Sequence, residues 1–345
     1  MRPEDEAILR AVRSRTVGVL AEVVGTGVPV AMLDVPNLRN VGDSMIWAGQ
    51  RAYVRELGLD VVHTAGIASY DAAALRRKLP PDGVILLRGG GNFGDIWRGH
   101  QRHREQVSRD FRDRRIVQLS QSVWFGAPKA AANADRILGN HPDFTLLVRD
   151  LDSQQRAAEQ VPSVRTVHCP DMALGWTPRV RRAGAGTAPV LVLARRDHEG
   201  VSGLADRAAG LGGAEVLDWT SDRLDSPRRR LAATAPRVAA RHPALGAGRI
   251  GRSLVARGLV GVNEANLRSA ERLFAGRRLV VVDRLHAHVL AALLGIDHVV
   301  LDNSYGKIGA VVREYTGAFS TTTYTHDVDE ALERVRTGLG TDGRG

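Results

Sequence analysis

The sequence is poor in cysteine and in long apolar runs. Cys169 is the single cysteine among 345 residues, so an internal disulfide is impossible and a zinc site built from cysteines is not expected. No apolar stretch reaches the ~18 residues that a membrane span needs. The N-terminal segment contains acids and no continuous apolar core, so it does not look like a secretory signal. These absences predict a soluble protein of the reducing cytoplasm.

Lysine is scarce as well. Lys78, Lys129 and Lys307 are the three lysines among 48 basic residues, so arginine carries nearly all of the positive charge. The formal net charge of +10 favours anionic partners such as nucleotides, phosphorylated sugars, acidic lipid headgroups or nucleic acid. Charge alone does not choose among these partners.

Several catalytic signatures are also missing. The sequence contains no HExxH motif, no GxSxG motif and no zinc-ligand spacing. These absences argue against a zinc enzyme and against a serine hydrolase. We therefore predict no metal site and no cofactor.

What the sequence does have is an alternation of apolar, β-branched runs with longer helical patterns. Continuous apolar runs between helices are typical of parallel strands that are covered on both faces. The pattern predicts a doubly wound α/β fold. The expected strands are Val30–Val35, Val84–Leu87, Ile116–Leu119, Thr145–Val148, Thr166–His168, Val190–Ala194, Leu279–Val282 and His298–Leu301.

A stretch rich in Gly, Pro and Arg, Gly175–Ala188, is interpreted as an interdomain linker. It predicts an N-terminal Rossmann-like domain over residues 1–178 and a C-terminal one over residues 188–335. Residues 336–345 are expected to form a flexible tail, and the arginine-rich stretch 222–259 to hold helices and a loop. Two such domains would face a cleft at the carboxyl ends of their sheets, where open α/β sheets bind ligands.

The first candidate functional residues follow the first strand. Asp43 or Ser44 would cap a helix whose free N–H groups can face an anion or a sugar hydroxyl. The Asp43 carboxylate could also orient or deprotonate an acceptor hydroxyl. Plain helix capping is the alternative.

Glycines and arginines follow the next strands. Gly90 and Gly91 let the backbone approach a ligand closely beside Asn92, although a tight turn is the alternative. Arg149 ends a strand, where its planar fork can clamp phosphate or carboxylate. It could equally pair with Asp150 or Asp171 in a structural role.

The same two interpretations apply at the start of the C-terminal half. Arg195 and Arg196 follow the strand Val190–Ala194. Further on, Arg284 and His286 lie between a buried strand and an apolar helix, where an arginine can bind an anion and a histidine can move a proton near neutral pH. His288 competes with His286 for that role. Lys307 offers a compact ammonium for phosphate or is a surface residue.

The basic segment Arg98–Arg115 mixes arginines with acids. Charges of both signs at helical spacing favour intrahelical pairs on a solvated helix face. A nucleic-acid patch is usually purer in charge and interleaved with aromatic residues.

The order of the motifs resembles that of the polysaccharide pyruvyl transferase family. The matching motifs run from Asn40 to Lys307 and are NVGDSMI, ILLRGGGNFGD, LLVRDLDS, CPDMAL, LARRDHEG, DRLHAHVLAALLG and LDNSYGK. The sequence departs from the family at Asp283, where a small hydroxylated residue often precedes the key arginine.

The resemblance implies a fold like that of GT-B glycosyltransferases, with phosphoenolpyruvate as donor and a hexose as acceptor. It places the family's Arg-x-His pair on Arg284 and His286, its Gly-Asp motif on Gly42 and Asp43, and its strand-end arginine on Arg149. The implied product is a pyruvate ketal on a sugar of a glycan or glycolipid.

These roles give a set of expected contacts. His286 would transfer the proton, and Asp43 would be the base or orienter for the acceptor. Arginines and a lysine would hold the donor, and further residues would contact substrate. The expected catalytic residues are thus His286, Arg284 and Asp43. The expected substrate-binding residues are Arg149, Arg196, Lys307, Asn92, Gly90, Gly91 and His288.

Two other functions stay open. A nucleotide-sugar glycosyltransferase would share the architecture, and release of a nucleoside diphosphate would identify it. A nucleic-acid-binding protein is suggested by the charge, but acids scattered among the arginines argue against it. If the acceptor is lipid-linked, the basic surface favours transient contact with the inner face of the membrane.

Overall fold

The computed structural model describes most of the chain. The described residues are 1–37, 39–179, 190–195, 203–209, 211, 213–219, 226–302 and 307–340. Arg196 and residues 180–188 of the predicted linker lie outside them, and only the backbone of Lys307 is described.

Twelve strands in the described residues form two sheets, and all of their pairings are parallel. The first sheet contains β1 (Pro29–Leu33), β2 (Asp60–Ala65), β3 (Val84–Leu87), β4 (Gly90–Gly94), β5 (Arg115–Trp124), β6 (Phe144–Val148) and β7 (Arg165–His168). The second contains β8 (Val190–Leu193), β9 (Ala214–Leu217), β10 (Leu279–Val282), β11 (Asp297–Leu301) and β12 (Thr322–Thr325).

Helices connect the strands and cover the sheets. Those before the second sheet are α1 (Pro3–Val23), α2 (Val41–Glu56), α3 (Ala72–Lys78), α4 (Arg98–Asp110), α5 (Pro128–Gly139) and α6 (Leu151–Gln160). The later ones are α7 (Leu204–Ala208), α8 (Pro227–Ala232), α9 (Thr234–Arg241), α10 (Pro243–Ala247), α11 (Arg249–Phe274), α12 (Leu285–Leu294), α13 (Lys307–Val311) and α14 (Val328–Gly340).

Both sheets follow the same doubly wound order. The first runs β2-β1-β3-β5-β6-β7, with β4 paired to β5, and the second runs β12-β11-β10-β8-β9. In each sheet the direction of winding reverses beside the first strand, between β1 and β3 and between β8 and β10. Open α/β sheets bind ligands at the carboxyl ends of the strands at such a point. The predicted α/β class with parallel sheets is confirmed.

Three hydrophobic clusters form the core. The largest includes side chains from both sheets together with α1, α2, α11 and α12. The other two cover the remaining faces, one under α3 to α6 and the other under α7 and α14. Parallel strands that are buried on both faces explain the continuous apolar runs in the sequence.

Helix α1 also contacts the second sheet. Asp5 is fully buried and accepts hydrogen bonds from the backbone N–H and the hydroxyl of Ser320, at 2.6 and 3.0 Å. Arg2 pairs with Asp297, the first residue of β11, at 3.1 Å. The first turn of the chain is therefore attached to the C-terminal half, so residues 1–178 do not pack solely against the first sheet.

Several predicted boundaries change. Two strands keep their predicted bounds, Val84–Leu87 and Leu279–Val282, and the other six differ at one end or both. Strands β2, β4, β9 and β12 were not predicted. Gly175 belongs to the 3-10 helix Met172–Gly175 rather than to a linker, and α14 continues to Gly340, so residues 336–340 are helical rather than a loose tail. Among the described residues, no helix is both long and apolar enough to cross a membrane.

Five buried histidines have a lowered pKa because burial penalises the charged imidazolium: His63, His103, His141, His288 and His298. The pKa of His298 is lowered to about 4. His288 Nδ1 lies 2.7 Å from His298 Nε2, and His298 Nδ1 lies 2.8 Å from the Ile296 carbonyl oxygen. The pair therefore stays neutral inside the fold.

Mild acid should destabilise the protein through these histidines. Below their ordinary pKa of about 6.5 they bind protons in the unfolded chain but not in the folded one, so the free energy of unfolding falls as the pH drops from about 6.5 to about 4. Urea unfolding at about pH 7.5 and about pH 5 measures this loss. His288→Gln should reduce the pH dependence, and His326→Gln, which changes an exposed histidine, should not. Equal stability of the wild type at both pH values would contradict the prediction.

Candidate active site

A pocket lies where the two winding-reversal points meet. Its cavity volume is about 160 Å³. Its walls come from residues that follow strands of both sheets, as the rule for open α/β sheets predicts. The lining residues are Asn40, Gly42, Asp43, Ile46, Arg88, Gly91, Asn92, Trp97, His100, Arg149, Arg195, Trp219, Arg284, Leu285, His286 and Ile308.

The first turn of α2 forms one wall. Asn40, rather than the predicted Asp43 or Ser44, caps this helix, because its side-chain oxygen accepts from the N–H groups of Gly42 and Asp43 at 3.0 and 3.4 Å. Ser44 instead accepts from Asn266 and donates to Asn263 of α11, at 3.0 and 2.8 Å. Asp43 is thereby left at the pocket wall.

Arg88 lies at the end of β3 between two carboxylates. Its side chain is 1% exposed, and it contacts Asp43 Oδ1 at 2.9 Å and Asp34 Oδ2 at 3.5 Å. Its Nε also donates to the Asp34 carbonyl oxygen at 2.8 Å. Burial acts to lower the pKa of Arg88, but the two carboxylates raise it overall, so the guanidinium stays charged. Its direction is fixed by three contacts.

Asp34 connects Arg88 to a histidine. Its backbone has φ of 61°, a left-handed conformation that aspartate adopts more readily than most residues. Its Oδ2 lies 2.9 Å from His100 Nδ1. Burial would raise the pKa of Asp34, but Arg88 and His100 lower it, so the carboxylate is ionised. The contact with Asp34 holds the imidazole of His100 at the pocket wall.

The glycine-rich strand β4 supplies Asn92. Its side-chain oxygen accepts from Arg104 at 2.8 Å and from Gln121 at 3.0 Å, so the amide NH₂ group is the part that can donate to a ligand. Gly91 lines the pocket with Asn92, whereas Gly90 does not. Arg104 is buried against the Phe93 ring at 4.6 Å. One face of α4 is therefore part of the core, so Arg104 does not lie on the predicted solvated helix face.

Arg149, Asp171 and His286 form a chain of contacts. Arg149 Nη1 lies 2.7 Å from Asp171 Oδ2, and Arg149 Nε donates to the Ser122 hydroxyl at 2.9 Å. The same Asp171 oxygen lies 3.4 Å from His286 Nε2. Burial would raise the pKa of Asp171, but His286 and Arg149 lower it far below its ordinary value, so it remains a carboxylate. Asp171 thus orients both an arginine and an imidazole.

His286 also lies against the backbone of α2. A Cβ placed on Gly42 would lie 2.7 Å from His286 Nδ1 and 3.0 Å from Cγ. The first turns of α2 and α12 therefore approach each other at a point where only glycine fits. Gly42 belongs to the predicted Gly-Asp motif, and this approach gives its glycine a physical reason.

Arg284 and Arg195 come from the second sheet. Arg284 caps the N-terminus of α12, is 12% exposed, and lies 2.6 Å from Asp218 Oδ1. The backbone N–H of Arg195 donates to Asp283 Oδ1 at 2.7 Å, which ties the ends of β8 and β10 together. Asp283, the departure from the family pattern, therefore has a structural contact of its own.

The remaining predicted residues lie elsewhere. His288 is fully buried and contacts His298 and Thr316, so its predicted contact with substrate is not retained. The side chain of Lys307 and all of Arg196 lie outside the described residues. The structure thus brings together Asp43, Asn92, Gly91, Arg149, Arg284 and His286.

Sequence reasoning missed three important residues, Arg88, His100 and Trp219, and it named Asp171 as a possible structural partner of Arg149, a pairing that the 2.7 Å contact confirms. Arg88 had a usable signal, since it directly follows a buried strand. His100 had none, because its partner Asp34 is brought to it by the fold. Trp219, which stacks on Phe274 with ring centroids 5.8 Å apart, follows the short strand β9 that was not predicted.

The pocket is suited to an anion beside an acid–base group. Four arginines line it, whereas Asp43 is the carboxylate among the lining residues. The N-termini of α2 and α12 add positive potential in the same place. Such a site can bind a ligand with two anionic groups and can move a proton through His286.

Comparison with known proteins agrees with this chemistry. The chain is 34% identical to Pyruvyl transferase 1 of Schizosaccharomyces pombe over 293 residues, 81% of this chain and 67% of that protein. It is 28% identical to EpsO of Bacillus subtilis over 289 residues, 84% of this chain and 85% of that protein.

A solved structure and a family model complete the comparison. A functionally uncharacterised protein of Klebsiella pneumoniae shares the fold, with a TM-score of 0.53, 14% identity and coverage of 94% of this chain and 99% of that one. The family model described as polysaccharide pyruvyl transferase matches residues 40–305. The chain therefore belongs to the polysaccharide pyruvyl transferase family, which indicates a transferase of pyruvyl groups.

Proposed function

We propose that the protein transfers the enolpyruvyl carbons of phosphoenolpyruvate to a sugar and closes them into a pyruvate ketal. The two sheets would act as two Rossmann-like domains facing a cleft, in the manner of GT-B glycosyltransferases. The donor side would be the C-terminal half, and the acceptor side the N-terminal half. The reaction as proposed requires no cofactor.

The observation that carries the proposal is the set of oriented arginines around one imidazole. Phosphoenolpyruvate carries a carboxylate and a phosphate, and a phosphate monoester alone has about −1.5 to −2 charges at neutral pH. Arg149 and Arg284 are each fixed by a carboxylate, Asp171 and Asp218, within 2.7 Å. A planar guanidinium with a fixed direction suits two-point binding of such groups.

The chemistry then proceeds by addition and elimination. A proton is added to the methylene carbon of the donor, which leaves positive charge on the adjacent carbon and its ester oxygen. An acceptor hydroxyl attacks that carbon and loses its proton. Phosphate leaves with the electrons of the carbon–oxygen bond, and a second hydroxyl closes the ketal and loses its proton. The sum is donor plus diol giving ketal plus phosphate.

His286 is proposed to carry the first proton. Asp171 Oδ2 lies 3.4 Å from His286 Nε2, and Gly42 limits the positions that the ring can occupy. This arrangement provides an acid whose direction is fixed before the donor binds. Fixed orientation of a catalytic group contributes to the rate because less freedom is lost at the transition state.

Asp43 is proposed to orient the acceptor rather than to act as a strong base. Its Oδ1 accepts from Arg88 at 2.9 Å and its Oδ2 accepts from Asn40 at 3.1 Å. A carboxylate engaged on both oxygens has remaining lone pairs that can accept a hydroxyl hydrogen bond. The NH₂ group of Asn92 can donate to another sugar oxygen.

The direct test is to incubate the protein with phosphoenolpyruvate and a panel of hexosides. We expect phosphate release together with a mass gain on the sugar equal to the donor less phosphoric acid. Release of a nucleoside diphosphate from a sugar nucleotide, with no use of phosphoenolpyruvate, would instead identify a glycosyltransferase and overturn the proposal.

Replacing His286 tests the proton transfer. His286→Asn should lower kcat by about 100-fold or more, because general acid–base catalysis contributes about 10²–10⁴-fold. Donor binding should be retained, since the arginines remain in place. Steady-state kinetics with phosphate detection measures both quantities. A kcat close to that of the wild type would reject the assigned role.

Gly42→Ala tests the close approach of the two helices. The added methyl group displaces the His286 ring, so we expect kcat to fall by about 10- to 100-fold, because a shift of ~1 Å can have that effect. The variant should still fold, because the helix preference of alanine, about 1 kcal/mol over glycine, offsets part of the ~1–3 kcal/mol that the added methyl group costs.

Gly18→Ala in α1 is the matched control, because its Cβ would meet nothing within 4 Å. It should keep full activity. Thermal unfolding of both variants checks the fold. Unchanged kcat in a stable Gly42→Ala variant would contradict the proposed restraint on His286.

A further inference from the structure

Most of the net positive charge of the chain comes from one segment. Residues 226–263 contain eight arginines and no aspartate or glutamate, whereas the whole chain has 48 basic and 38 acidic residues. The segment therefore contributes +8 of the formal net charge of +10. Its arginines are Arg228, Arg229, Arg230, Arg237, Arg241, Arg249, Arg252 and Arg257.

The same segment exposes large apolar side chains. Five of the ten exposed large hydrophobic residues in the described part of the chain fall within it, which makes it the main apolar surface feature. They are Leu231 at 77%, Val238 at 40%, Leu245 at 64%, Ile250 at 77% and Leu254 at 50% exposure.

The helices of this segment pack on one another through small residues. A Cβ on Gly258 would lie 2.6 Å from the Ala232 carbonyl oxygen, and one on Gly261 would lie 2.9 Å from Ala232 Cβ. Helices α8 and α9 therefore lie close against α11, and their larger apolar side chains are not needed for that contact. Ile250 and Leu254 lie one turn apart and share a face of α11.

The helices that carry these apolar side chains also carry exposed arginines. Arg237 and Arg241 lie one turn apart on α9, on either side of Val238, and Arg228 and Arg257 are exposed as well. We call the five exposed hydrophobic residues and these four arginines the cationic apolar patch. It combines apolar side chains with charge of one sign.

The patch lies on the pocket side of the molecule. Helix α11 is joined to the first turn of α2 through Asn263 and Asn266, which contact Ser44 next to Asp43. Helix α9 contacts the 3-10 helix Ile67–Ser69, which follows the carboxyl end of β2. The residues that follow the strands of the first sheet line the pocket, and this helical layer adjoins the same edge of that sheet.

We infer that the cationic apolar patch docks the protein on an anionic lipid bilayer. Apolar side chains that enter the headgroup region and arginines that pair with acidic headgroups are the two components of interfacial binding. A purely polyanionic partner would use the arginines but leave Leu231 and Ile250 in water. The inference deepens the proposed function, because a sugar acceptor carried on a lipid would be presented at this surface.

Vesicle binding tests the inference without any substrate, so its failure is distinguishable from failure of the proposed reaction. The wild type should co-sediment with vesicles of phosphatidylcholine and phosphatidylglycerol, and much less with phosphatidylcholine alone. Raising the salt concentration should weaken binding, because salt screens the attraction.

Two double variants separate the contributions. Arg237→Gln/Arg241→Gln and Leu231→Ser/Ile250→Ser should each weaken vesicle binding by roughly tenfold or more. None of these residues lines the pocket, so activity on a soluble hexoside should stay unchanged. The matched controls are Arg334→Gln/Arg336→Gln on α14 and Leu151→Ser on α6, which should bind vesicles as the wild type does.

Three results would overturn the inference. The first is that the wild type binds neutral and anionic vesicles equally well, or that it binds neither kind. The second is vesicle binding that neither double variant weakens. The third is a dimer in solution that Leu231→Ser/Ile250→Ser converts to a monomer without any vesicle binding, since the apolar residues would then serve a second copy of the chain.

Discussion

The pairing of buried guanidinium groups with buried carboxylates is the interaction on which the site depends. Arg149 with Asp171, and Arg88 with Asp34 and Asp43, place full charges where water is largely excluded. A buried charge without a partner would be strongly destabilising, so each member fixes the other in position. The pairs fix the direction of the hydrogen-bond donors that Arg88 and Arg149 present at the pocket.

The fold explains why these pairs meet. Two parallel sheets with the same winding order each leave a gap at the carboxyl ends of their strands, and helices α2 and α12 begin at these gaps. Gly42 allows the two helix starts to approach until an imidazole of one touches the backbone of the other. The acid–base group is thus positioned by contacts that join the two halves of the chain.

The sequence predicts the parts of this structure that depend on local pattern. Strands β3 and β10 are continuous apolar runs. Arg284 and His286 could be placed at the pocket because they come within four residues of the end of β10. Strands β4 and β12 are rich in glycine or threonine and give no apolar run. The pairing of Asp171 with Arg149 was one of the alternatives that the sequence offered, but its contact with His286 is tertiary and could not be predicted. Arg104 was misjudged because a buried arginine has the same local pattern as an exposed one.

The central claim is that the arginines bind the donor while His286 serves chemistry. Calorimetric titration with phosphoenolpyruvate of the wild type, Arg284→Gln and His286→Asn tests this division most directly. The account predicts that Arg284→Gln raises the Kd for phosphoenolpyruvate by roughly tenfold or more, because a hydrogen bond to a charged group is worth about 1.5–3 kcal/mol. It also predicts that His286→Asn binds phosphoenolpyruvate nearly as the wild type does. Retained donor affinity in Arg284→Gln, or no binding by the wild type, would contradict it.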